Sequence, residues 1–137
     1  MSNEQLDNLV RIEQLKTEPP SEREISGLIT SGLARLHDAK DESLSFESRF
    51  DLAYNAAHSL SLAALRRAGY RPTHRYIVFQ CLKHTMNLPN EQWRILDQAH
   101  RKRNLAEYEG VLEINIGLLA ALIRTVEIVA SHLAGET

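Results

Sequence analysis

Cysteine is almost missing from this 137-residue chain, where Cys81 stands alone. A single thiol excludes a disulfide framework and a cysteine-built metal cluster; it reads as a small apolar residue inside a helix. Aromatic residues are scarce, at 6%, while leucine and alanine are plentiful, a balance that favours helix over sheet. There is no glycine-rich phosphate loop, no internal repeat and no low-complexity tract. Charge of one sign is not in excess either. The formal net charge is −2, so no general attraction to nucleic acid follows, and an anion site has to be a local patch. The longest apolar stretch, 114–133, approaches membrane-spanning length but contains Asn115, Arg124, Glu127 and His132. Central charges cost about 2.5–3.5 kcal/mol each in lipid, so a buried helix is expected there. The first residues, Met1-Ser2-Asn3-Glu4-Gln5, are polar and acidic, unlike a secretory leader, and a cytoplasmic location is expected.

What is present is helical periodicity. The length suits one domain with a single core. Leu6, Leu9, Val10, Ile12 and Leu15 give a stripe over residues 3–17, stopped by Pro19-Pro20. Ser21 and Glu24 have the spacing of a capping box, and Ile25, Leu28, Ile29, Leu33 and Leu36 extend one amphipathic helix to about Ala39. Ser43 or Ser45 caps a third helix with Phe46, Phe50, Ala53, Ala57, Leu60 and Ala64 inward, closed by Gly69 and Pro72. Thr73 caps a fourth, from His74 to about Met86, with Ile77, Val78, Cys81 and Leu82 inward. Tyr76-Ile77-Val78-Phe79 has strand-like composition, but no partner strand is evident and an isolated strand is not viable. Asn90 caps a fifth helix that ends at Gly110, and a sixth spans roughly 111–134. The expected architecture is an all-α up-and-down bundle of five to six helices in one domain, 1–137. The surplus of apolar surface on the last helix predicts a homodimer.

Chemistry concentrates in one place. His100-Arg101-Lys102-Arg103-Asn104-Leu105-Ala106-Glu107-Tyr108-Glu109-Gly110 sets four basic side chains before an amide, a carboxylate and a phenol. At 3.6 residues per turn, Arg101, Asn104 and Tyr108 share one face, and His100, Arg103, Asn104 and Glu107 an adjacent one. Guanidinium forks beside an amide suit phosphate oxygens, and a phenol adds a donor or a stacking surface for a base. The same run is also what a helix end with a favourable charge–dipole interaction looks like, with no ligand involved.

The segment Arg103-Asn104-Leu105-Ala106-Glu107-Tyr108 resembles the signature of the HEPN superfamily, small all-α domains of nucleotide-binding and RNA-cleaving proteins. That signature is an Arg, usually followed by Asn, then a His after a short spacing, late in a bundle. The Ala-rich helix from Tyr54-Asn55-Ala56-Ala57-His58 to Gly69-Tyr70, and the His74-led helix after it, also fit. The resemblance covers about 45–133 and leaves the helices over 3–39 outside it. It implies a nucleotide or RNA ligand bound through Arg101, Lys102, Arg103, Asn104, Glu107 and Tyr108. It further implies a toxin–antitoxin or accessory role and a minimal nucleotidyltransferase as protein partner. One departure matters. Tyr108 stands where the family has its His, five residues beyond Arg103. Metal-independent RNA cleavage needs a proton acceptor for the 2′-hydroxyl, a role that suits His near pH 7 and not a phenol with a pKa near 10. Binding without cleavage is therefore expected.

Two other functions compete with it: a dimeric interaction module with no ligand site, and an active metal-independent ribonuclease using His100, Arg103 or Tyr108. His58, His74, His84, His100 and His132 lack metal-ligand spacing, and neither metal nor cofactor is expected. His58 is expected at the core boundary and Trp93 in the core, while Arg66-Arg67 and Arg71 read as a solvated helix end.

Overall fold

The computed structural model describes residues 3–110 and 115–135, with every side chain among them except that of Glu107. In chain order the elements are α1 (Glu4–Arg11), β1 (Leu15–Thr17), α2 (Glu22–Ala39), α3 (Phe46–Arg67) and β2 (Tyr70–Pro72). Then follow α4 (Ile77–Gln80), α5 (Leu82–Thr85), α6 (Asn90–Glu109) and α7 (Ile116–Gly135). The chain is an all-α helical bundle carrying one two-stranded ribbon.

The centre is α3. Ser45 starts it, its Oγ accepting the Ser48 N–H at 3.1 Å. Ala53, Ala56, Ala57, Leu60, Ala63 and Ala64 are buried, and small side chains on several faces allow α2, α6 and α7 to pack close around one axis. Phe46, expected inward, is 46% exposed, because it lies in the first turn beyond the reach of the neighbouring helices. The closest approach is to α2. A Cβ at Gly32 would lie 2.7 Å from Leu60 Cγ, so only glycine fits the crossing. The stripe expected on α2 is correspondingly rotated: Ile25 and Leu36 are buried, while Leu33 is 45% exposed beside the glycine that makes the contact. From the other side α7 adds Leu119, Leu122, Val126, Val129 and Leu133 to the same core. Its apolar length is enough to cross a membrane, but these five residues are spent on the bundle. Asn115 starts α7, its Oδ1 accepting the Leu118 N–H at 2.7 Å; residues 111–114 of the expected helix lie outside the described residues.

The N-terminal third departs from expectation. The helix over 3–17 ends at Arg11, and the chain reverses through Glu13, whose φ of 61° is left-handed. It then enters β1, which pairs antiparallel with β2, Lys16 opposite Arg71. Three-residue strands show no alternation that a sequence pattern could reveal. Around the ribbon Leu6, Leu15, Leu65, Tyr70, Ile77 and Cys81 form a second, smaller core. Thr73, expected as a helix cap, instead donates its hydroxyl to the carbonyls of Glu13 and Gln14. The expected helix from His74 to Met86 is interrupted at Cys81 into α4 and α5, and its inward residues Ile77, Val78, Cys81 and Leu82 are all buried. Asn90 is the first residue of α6, behind Pro89, and Gly110 ends that helix with φ 72°. Trp93 is half-buried against the core, with the Lys83 ammonium 4.3 Å from its ring centroid.

The largest correction is Arg66. Expected in solvent, it is 1% exposed. Its Nε donates to Glu24 at 2.7 Å, and its Nη atoms donate to the carbonyls of Glu18, Pro19 and Tyr70 at 3.1, 2.8 and 3.0 Å. Arg71 lies beside it and donates to Glu18 and Glu24, each at 2.7 Å. Glu24 therefore closes only half a capping box. Ser21 Oγ takes the Glu24 N–H, but the carboxylate turns away to the two guanidiniums, which offer charge-assisted bonds where a backbone N–H offers a neutral one. Replacing Arg66 by Ala strands three carbonyls and leaves Glu24 to Arg71 alone, and should lower unfolding free energy by about 3–5 kcal/mol in urea titration. Replacing the exposed Arg94 should change it by less than about 0.5 kcal/mol.

Candidate functional site

Three elements deliver polar and aromatic side chains to one end of the bundle: the first half of α3, the entry to α4 and the middle of α6. On α3, residues 54 and 58 lie one turn apart, so Tyr54 and His58 project side by side. On α6, His100, Arg103 and Asn104 share a face by the same periodicity. Between them enters the chain at Arg75 and Tyr76, brought over by the Gly69 turn (φ 96°) and β2.

His100 is the hub. Its Nδ1 lies 2.9 Å from the hydroxyl of the fully buried Tyr54, and its Nε2 3.1 Å from the Asn104 amide nitrogen. With the amide donating to Nε2, the imidazole proton sits on Nδ1; with the amide reversed, it sits on Nε2. In either orientation both ring nitrogens of a neutral His100 are engaged. The ring also stacks on Tyr76 at 4.5 Å between centroids, and Phe79 meets it edge-on at 6.3 Å. Tyr76 donates to Asp97 at 2.5 Å, and burial followed by that bond raises its pKa. The other oxygen of Asp97 holds Arg101 Nε at 3.0 Å.

Two guanidiniums converge on the Tyr54 ring. Arg103 lies 4.9 Å and Arg75 5.6 Å from its centroid, and Arg75 is steadied by donating to Asn55 Oδ1 at 2.8 Å. Their combined field reaches His58. Burial first, then the charges of Arg75 and Arg103, push its pKa down to about 4. His58 is thus a neutral imidazole at pH 7 beside two fixed cations. Arg103 also lines a cleft of about 650 Å³ between the start of α3 and the end of α6, with Ser45, Ser48, Asp51 and Gly110 on its walls.

The residues expected from sequence are only partly assembled. His100, Arg103 and Asn104 come together. Arg101 does not join Asn104, because Asp97 one turn earlier draws it back. Lys102 lies with Arg101 and Leu105 on a separate shallow depression of about 220 Å³. Tyr108 is 91% exposed and stands off the cluster as an uncovered ring. The Glu107 side chain lies outside the described residues. Tyr54, Arg75, Tyr76 and Asp97 were not expected. A signal existed for two of them, since Tyr54 and Tyr76 are half of the four tyrosines in a chain poor in aromatics.

The low pKa of His58 has a thermodynamic sign. The unfolded chain takes up a proton near pH 6.5 and the folded chain only near pH 4, so the His58 contribution is complete above pH 6.5 and is lost as pH falls towards 4. Glu18 and Glu24, lowered by their bonds to Arg71 and Arg66, lose theirs below the ordinary carboxylate range. His58→Gln should flatten the stability profile between pH 6.5 and 4 and leave the acid limb below it, as measured by urea midpoints across pH. The chain matches no family model, no curated protein and no solved structure.

Proposed function

We propose that this chain is a HEPN-like nucleotide- or RNA-binding protein without ribonuclease activity, acting in the cytoplasm as an accessory or toxin–antitoxin component. The observation that carries the reading is the convergence of Arg75 and Arg103 on one buried tyrosine, next to an uncharged His58. Two planar donor forks held at a surface suit phosphate oxygens, and a neutral imidazole adds an N–H without adding repulsion between cations. The exposed ring of Tyr108 offers a base a stacking surface. The family resemblance adds a minimal nucleotidyltransferase as protein partner.

The internal bonds of His100 support binding over cleavage. A general base needs a free nitrogen within reach of the 2′-hydroxyl, and here one nitrogen faces Tyr54 and the other Asn104. The Tyr108 phenol is 91% exposed and stands away from the groups around His100. A second reading, a dimeric interaction module, draws on α7: only a third of its most apolar stretch is buried in the monomer, which leaves apolar surface for a second copy.

Arg103→Ala combined with Asn104→Ala should weaken binding of labelled RNA or mononucleotide roughly tenfold or more, with the thermal midpoint nearly unchanged. Retained affinity sinks the site, and a collapsed midpoint makes the segment structural. Incubating the wild-type protein with RNA in chelator should leave the RNA intact; cleavage that disappears with His100→Ala establishes the ribonuclease instead. A stable dimer in sedimentation analysis with no affinity for RNA or nucleotide favours the interaction module.

A further inference from the structure

A second cleft, of about 660 Å³, runs along the outer side of α2, where that helix meets α3 and the chain entering α4. One wall is a row at four-residue spacing on α2: Arg23, Gly27, Ser31 and Arg35. At 1.5 Å per residue, Arg23 and Arg35 are about 18 Å apart along the axis. The opposite wall brings Asn55, His58 and Arg75.

The electrostatics of this cleft are one-sided. Its only carboxylate, Glu24, is engaged by Arg66 and Arg71, with both oxygens in bonds of 3.0 Å or less. Among the described residues no carboxylate pairs with Arg23, Arg35 or Arg75, and Arg35 is held along the wall by a bond to Ser31 Oγ. His58 contributes a neutral donor. Gly27 sits in the second turn of an 18-residue helix, inside it, where glycine costs about 1 kcal/mol relative to alanine. It makes no close crossing, as Gly32 does; a Cβ there would meet nothing within 4 Å. Its effect is to leave the floor of the cleft open between the two end arginines.

We propose that this cleft binds a linear oligophosphate, lying along α2 with its ends at Arg23 and Arg35, passing over Gly27 and facing Arg75. The length fixes the class. A single phosphate reaches one end only, whereas a chain of phosphates reaches both. Most of the row lies on α2, outside 45–133, while His58 and Arg75 on the opposite wall are shared with the site proposed around Arg103. The chain of phosphates comes either from a free oligophosphate or from the backbone of a short single strand.

Calorimetric titration of the full chain with a linear inorganic polyphosphate long enough to span the row should, at low salt, give saturable binding at least about tenfold tighter than inorganic orthophosphate. Arg23→Ala and Arg35→Ala should each weaken it severalfold, and the pair should abolish it. Gly27→Leu, which fills the floor without changing charge, should abolish it while Gly27→Ala keeps or raises the thermal midpoint. The Arg103→Ala, Asn104→Ala protein should bind the same polyphosphate as the wild type does, which separates this site from that on α6. Competition by an eight-residue oligothymidylate assigns the phosphates to a strand, and its absence assigns them to a free oligophosphate. Equal affinity for orthophosphate, binding that survives Gly27→Leu, or loss of binding in the Arg103, Asn104 variant overturns the proposal.

Discussion

The structure depends on one buried guanidinium. Arg66 ends α3 inside the protein and satisfies the carbonyls of Glu18, Pro19 and Tyr70 at once, together with the Glu24 carboxylate. Those carbonyls belong to the segment between β1 and α2, which has no ladder of its own, and to the first residue of β2, at the end of the ribbon. A buried backbone carbonyl without a donor costs about 1–3 kcal/mol, so the path of the chain from Thr17 to Glu22 is fixed by a side chain of another element. The two prolines at 19 and 20 cannot donate, which makes an outside donor more necessary still.

This anchoring reaches the candidate site through geometry. By holding the Tyr70 carbonyl, Arg66 sets where β2 leaves α3, and β2 in turn sets where Arg75 and Tyr76 enter over Tyr54 and His100. The same cluster takes Glu24 away from the cleft on α2 and so leaves that wall positive. One ion-pair cluster thus shapes two surfaces, of which it lines only the second, through Glu24.

The bundle was legible in the sequence because long helices write their period over several turns. α2, α3, α6 and α7 announce themselves through apolar spacing, Ser21, Ser45 and Gly110. What escaped depends on partners far along the chain. The ribbon joins residues 57 positions apart, Leu15 to Pro72, with three residues per strand, too few for alternation to show. Arg66 looks like any basic residue at a helix end, because its burial comes from Glu18 and Glu24 folding over it. At the site, the mutual reach of His100, Arg103 and Asn104 was legible from one helix alone. Their neighbours Tyr54 and Arg75 were not, since contact between α3, α4 and α6 is decided by packing. Arg101 was placed with Asn104 by helical angle, and Asp97 overrode the angle with a charge.

The two-stranded ribbon also bears on the order of events in folding. Closing residues 15 to 72 is entropically costly until α2 and α3 have docked, so α1 and the ribbon are the last part to assemble and the first to open. The small core they cover contains Cys81, whose thiol is buried and pushed up to about 12 by that burial. Its modification by a thiol reagent therefore reports the opening of that small core, whether the N-terminal clasp lifts alone or the whole chain unfolds. The lone cysteine of this chain is a built-in clock for that motion.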